Sequence, residues 1–332
     1  MKFGGIHFLR RFAPAYGPHY GVAAQGCMRG MGILYVISFW SLAAQIVGLS
    51  GPAGLLPSEL ILSAVSEVKG TWAPLFFPTL GWLSTHPLMY LGCTAIGALA
   101  GLCLLYGFYP WFSALISWIC WVSLLQICQP WMSGAGDLLT AEMGFLILFL
   151  LPPLSRFYPS PSKMGSRITG IILLNGLLFK VLFSSGLAKL NIGSPSWGDS
   201  TAFYHFFETQ SLPTIAAWYV HHFPGTLLKY GLWGMMFIEI ILPFYMFLPR
   251  TFRNILSGAV AVESLLLMLT GNYGFYPLLL LVLAFSLVDD VSWRKILPTT
   301  WGPPAAISYY QPRWISLLFL VALLPVYIWQ IY

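Results

Sequence analysis

Apolar runs of about 20 residues, the length a helix needs to cross roughly 30 Å of hydrocarbon, recur along the chain and constrain the fold more than any other feature. At that depth no water satisfies the backbone, so each segment must close its own hydrogen bonds. Runs rich in Leu, Ile and Ala that do not alternate do this as helices, whereas barrel strands would alternate with a period of two. The sparse charge agrees: 58% of the 332 residues are apolar and 8% are Asp, Glu, Lys or Arg. The expected fold class is all-α, a polytopic transmembrane helical bundle, with residues 1–332 forming one integral membrane domain.

Nine spans are read, at roughly 31–49, 87–107, 110–129, 137–151, 168–189, 229–248, 253–270, 274–288 and 314–331. Residues 1–30 carry Lys2, Arg10, Arg11 and Arg29 without the apolar core of a signal peptide, so the first span is expected to remain as an anchor. With that amino-terminal segment cytosolic, the inner side also receives Arg156, Lys163, Arg167, Arg250, Arg253, Arg294, Lys295 and Arg313. Together these are twelve of the 16 basic residues. Lys69 and Lys229 fall outside, and this asymmetry supports the orientation. The connections 50–86 and 190–228 then face the non-cytosolic side. Stretches such as STAFYHFFETQ and TIAAWYVHHF within the second predict interfacial amphipathic helices, with Trp and Tyr at headgroup level.

A net charge of +6 distributed around spans orients them and does not indicate nucleic acid. The five cysteines form no CxxC pair and mostly fall within spans, where Cys packs as a small hydrophobe. Cys93 and Cys128 are the pair whose expected depth would allow a bond. No cofactor and no metal site is expected.

Ionisable residues inside spans cost about 2.5 to 3.5 kcal/mol each, so they face the bundle interior and find partners. Lys180, Glu239 and Glu263 fall at matching mid-span depth and predict a buried polar cluster, either a structural clasp or a proton or ion relay. A second group lies higher. Lys189 closes the fifth span on the side where Asp137 and Glu142 open the fourth, which predicts pairing of Lys189 with one of them. Trp197, Asp199, His205, Glu208, His221 and His222 follow. His205 and Glu208, three apart, share a helix face, but two ligands do not make a metal site. Asp199 before Ser200 and Thr201 also reads as a helix start.

Four blocks carry a family pattern: QPWMSGAGDLLTAEMGFLILFLLP, FSSGLAKLNIGSPSWGDSTAFYHFFETQSLPTIAAWYVHHFP, FIEIILPFYMFLPR and LTGNYGFYPLLLLVLAFSLVDD, with GPAGLLP earlier. In this order they resemble the lipase maturation factor family. The resemblance implies a multi-pass protein that, in animals, resides in the endoplasmic reticulum and helps secreted lipases reach their active dimers. It is not itself a lipase, and no GxSxG elbow is present. The chain stops at Tyr332 where the animal members continue into a further domain; from its short loops and compact length a bacterial member in an inner membrane is expected, whereas a eukaryotic one would occupy the endoplasmic reticulum.

More distantly, GLAKLNIGSPSWGD is similar to a segment of the vitamin K-dependent gamma-carboxylase and its bacterial transmembrane relatives, in which a lysine acts as a base toward a quinol. Lys189 occupies the matching position. Three functions follow as expectations. The first is a membrane-embedded maturation or assembly factor whose outer helices engage a client protein, such as a lipase, through Trp197, Phe203, Phe206, Phe207, Glu208, Trp218 and Tyr219. The second is a membrane enzyme acting on a lipid or quinone-like substrate, with Lys189 as base and Glu142, Asp199 and His205 as catalytic partners. The third is a passive subunit of a larger membrane complex. Membrane lipids are expected partners in each.

Overall fold

A computed structural model describes residues 20–151, 155–157, 168–191, 195–210, 212–293, 295 and 296. The expected ninth span, the basic residues Lys2, Arg10, Arg11, Lys163, Arg167, Arg294 and Arg313, and the carboxyl terminus lie outside the described residues. The described chain is built from helices. Six of them are long and apolar enough to cross a membrane: Gly21–Ala43, Pro87–Tyr106, Pro110–Ile127, Ile168–Leu190, Gly225–Phe247 and Arg250–Thr270. They match the expected first, second, third, fifth, sixth and seventh spans. The expected fourth and eighth are the shorter helices Ala135–Ile147 and Tyr276–Ser286.

The chain divides into two compact units. One takes its described residues from Gly26–Tyr158 and Gly274–Val282. It holds most of α1 (Gly21–Ala43), α2 (Ile46–Ser50), α3 (Ser58–Lys69), α4 (Ala73–Phe76), α5 (Pro87–Tyr106), α6 (Pro110–Ile127) and α7 (Ala135–Ile147). Gly107 ends α5 in the left-handed region at φ 75°, and Pro110 opens α6 at a position where its missing N–H costs nothing. The reversal makes α5 and α6 an antiparallel hairpin. A Cβ on Gly32 would lie 2.7 Å from the Leu105 amide nitrogen, so α1 and α5 meet backbone to backbone. Small residues at such crossings replace the missing hydrophobic drive between helices in lipid. Trp121 is fully buried and donates its indole N–H to the Asp137 carbonyl at 3.0 Å, and Trp118 donates to the Ala141 carbonyl at 2.9 Å, fastening α6 to α7. Cys93 and Cys128 are both free thiols, so the bond allowed by their expected depth is not formed.

The other unit draws its described residues from Met1–Gln25, Pro159–Tyr273 and Leu283–Tyr332. It contains α8 (Ile168–Asn191), α9 (Pro195–Gly198), α10 (Ala202–Thr209), α11 (Ile215–His221), α12 (Gly225–Ile240), α13 (Arg250–Thr270), the end of α14 (Tyr276–Ser286) and α15 (Asp290–Trp293). After Ile240 the α-helix tightens into a 3-10 turn over Leu242–Phe247, where Pro243 supplies no amide for the α pattern. Asn175 on α8 accepts a hydrogen bond from Ser286 at 2.7 Å.

The first span begins ten residues before its expected start. The cause is remote in sequence: the Asp290 carboxylate accepts the amides of Gly21 and Val22, both at 2.9 Å, and so caps α1. Arg29, expected in the cytosolic segment, therefore lies within the helix. The neighbouring Asp289 pairs with Arg250 and accepts the Ser292 amide at 2.9 Å, while the buried Arg253 donates to the Tyr20 hydroxyl.

Candidate functional site

The polar centre of the second unit is built where α8, α12 and α13 meet. On α8, Leu178, Leu182, Gly186 and Lys189 recur at three- and four-residue spacing, so they share one face. Gly186 decides how near that face comes to α12. A Cβ there would lie 2.5 Å from Ile240 Cγ1 and 3.2 Å from Glu239 Cβ, so only glycine permits the approach. One turn further along, Lys189 reaches Glu239 and donates to both carboxylate oxygens. It also donates to Ser185 Oγ at 3.0 Å, and Ser185 donates to Glu239 Oε1 at 3.1 Å. The Trp197 ring, carried by α9, lies 5.7 Å from the Lys189 ammonium, in range for a cation–π contact.

Glu263 enters from α13, on the buried stripe formed with Leu256, Val260 and Ser264. It feels the charges of both Glu239 and Lys189, and its Oε2 is buried without a hydrogen-bond partner. One lysine thus faces two carboxylates in a water-poor setting. Outside the spans, burial and the nearby Glu239 charge push the Tyr273 hydroxyl up to about 12. In this arrangement Lys189 acts as a hydrogen-bond donor whose hydrogens are directed at Ser185 and Glu239.

Of the residues expected to cluster, Glu239 pairs with Lys189, and Glu263 senses both charges. Lys180 and Lys189 are nine residues apart, which at about 100° per residue puts them on opposite faces of α8, and Lys189 is the one whose ammonium reaches Glu239. The expected pairing of Lys189 with Asp137 or Glu142 is replaced by the Glu239 pair; Asp137 and Glu142 stand on α7, in the other unit. Ser185 was not expected in this cluster, although its place one turn before Lys189 was a usable signal.

Above this centre, α10 and α11 pack on the start of α12 through a small apolar core of Phe207, Ala217 and Leu228, joined by Phe203, Phe206 and Val220. Phe203, Phe206 and Phe207 thus hold the layer together, while Trp218 and Tyr219 are 59% and 61% exposed. His205 and Glu208 share the exposed face of α10, and Asp199 is exposed in the turn before it. That helix follows Thr201 without a side-chain cap, so Asp199 does not start it. Instead Ser200, at φ 61°, accepts the Trp233 indole N–H at 2.9 Å. Among the described residues no group of three or more His, Cys, Asp or Glu is placed to hold a metal ion.

Residues 22–295 match the family described as the lipase maturation factor transmembrane domain. Lipase maturation factor 2 of Mus musculus is 35% identical over 86% of this chain and 44% of its own length. The Homo sapiens protein of the same name is 34% identical over 79% and 39%. Lipase maturation factor 1 of Mus musculus is 30% identical over 83% and 49%. The chain thus spans less than half the length of these relatives. No solved structure matches. With a family match that covers both units and six apolar helices of spanning length, this chain is a multi-pass integral membrane protein and belongs to the lipase maturation factor family.

Proposed function

We propose that the chain is a membrane-embedded maturation factor that assists folding or assembly of a secreted lipase, acting through the α9–α11 layer. The observation that carries this reading is the match over residues 22–295 to a family whose curated members bear that name. The layer suits the task physically. Its apolar core fixes α10 and α11 against the head of a spanning helix, and the outward face of α10 presents Tyr204, His205 and Glu208 to water. A client approaching from the aqueous side would meet that polar face first, with Trp197 and Asp199 at its edge. Both units are read as one integral membrane domain, with the α9–α11 layer on the non-cytosolic side, in the endoplasmic reticulum of a eukaryotic host.

Lys189, Glu239 and Glu263 are assigned the role of a clasp that holds α8, α12 and α13 under this layer. The test is to express the chain in cells that lack their own maturation factor and to measure secreted lipase activity against secreted lipase antigen. The expected result is a several-fold rise in specific activity, reduced by Glu208→Arg at unchanged abundance of the membrane protein. An unchanged ratio with the protein present at normal abundance overturns the proposal.

A further inference from the structure

The exposed side of α11 has a different character from that of α10. Ile215, Trp218, Tyr219 and His222 recur at three- and four-residue spacing on one face, and Ile215 is 82% exposed. Both ends of this face are tied to spanning helices. At the start, Thr214 donates its hydroxyl to the Leu269 carbonyl in the last turn of α13, and Gln210 donates to the Thr270 carbonyl at 2.9 Å. At the end, three residues separate His221 from Gly225, the first residue of α12, a reach of at most about 14 Å. The helix is thereby held at the level where two membrane crossings begin and end.

The next helix is apolar on its exposed side as well. On α12 Leu227, Tyr230, Trp233 and Phe237 are exposed along a helix long and apolar enough to span. Between residues 209 and 238 the chain has no Asp or Glu, while His221, His222 and Lys229 lie at this corner. The mix of Trp, Tyr, aliphatic and basic side chains without carboxylates is the chemistry of the phospholipid headgroup layer.

We propose that the Ile215, Trp218, Tyr219 and His222 face of α11 is seated in the headgroup layer of the bilayer and is covered by phospholipid. The α10–α11 pair then divides its labour: α11 presses its apolar side into lipid, and this seat holds the polar side of α10 in water. The proposal concerns lipid alone and does not depend on the identity of any client.

The test uses the full chain in phosphatidylcholine and phosphatidylglycerol proteoliposomes. Trp218→Cys and, separately, Ile215→Cys are labelled with the environment-sensitive fluorophore NBD, with Glu208→Cys as comparator and the unsubstituted protein as background. At 215 and 218 the expected result is blue-shifted emission, with quenching by lipids carrying a nitroxide near the headgroup several-fold stronger than by aqueous iodide. At 208 the order reverses. Iodide quenching at 215 and 218 equal to that at 208 overturns the proposal. It is overturned equally by shielding that vanishes at one molecule per vesicle, which marks a second copy, or that arises only when a lipase is added.

Discussion

At the residue scale, the Lys189–Glu239 pair dominates. Taking two charges out of water is costly, and their attraction offsets this only when both partners are present and further hydrogen bonds satisfy them, as Ser185 does here. Removing one partner leaves an uncompensated charge. Lys189→Met is therefore expected to destabilise the protein by about 3 to 5 kcal/mol. The double variant Lys189→Met with Glu239→Leu should recover most of that loss, because neither charge then remains to be desolvated. Thermal and denaturant unfolding of the detergent-solubilised protein measures both. A double variant no more stable than the single one would show that the pair contributes through geometry and not through charge balance. The sequence made the partners' depth legible but not their rotation. Counting residues named Glu239 and Glu263 together, whereas the pairing of Glu239 with Lys189 depends on which face of α8 meets α12, a fact carried by Gly186.

At the element scale, the spans were legible because hydrocarbon imposes both length and apolarity on a helix, and five of the six long apolar helices fall within a few residues of their expected bounds, the first being the exception. Their starts were legible only where the signal is local, as with Pro87 and Pro110 at the openings of α5 and α6. The start of α1 was not, since its cap is Asp290, more than 260 residues away. The same holds for the aromatic run of α10: its sequence displays Phe203, Phe206 and Phe207 alike, and only packing against Ala217 and Leu228 distinguishes core from surface. The cap yields a prediction. Asp290→Ala frees the amides of Gly21 and Val22 and should cost about 0.5 to 2 kcal/mol, the range for loss of a helix cap. Hydrogen exchange should quicken in the first turn of α1 and leave α5 and α6 unchanged. Uniform acceleration across the chain would instead mean that the Asp290 contact holds the fold as a whole.

At the scale of the whole molecule, the central question is which parts face which side of the membrane. α13 sets a ruler: it runs 21 residues from Arg250 to Thr270, about 30 Å at the helical rise, enough to cross hydrocarbon once. Arg250, paired with Asp289, marks one end, and the Thr270 and Leu269 carbonyls that receive Gln210 and Thr214 mark the other. The α10–α11 layer and the Asp289 network must then lie on opposite sides of the membrane. Basic residues near span ends favour the cytosol, so in the proposed orientation Arg250 lies on that side and the layer on the other. Thr251→Cys and Glu208→Cys, both at exposed positions, test this in sealed vesicles of known orientation. A membrane-impermeant maleimide should label position 208 from the non-cytosolic side and position 251 only from the cytosolic side. Labelling of both from one side would remove α13 from the spanning helices, and with it the argument that seats α11 at the membrane surface; labelling of each from the side opposite to that expected would keep the span and invert the topology, placing the layer where no secreted lipase could reach it.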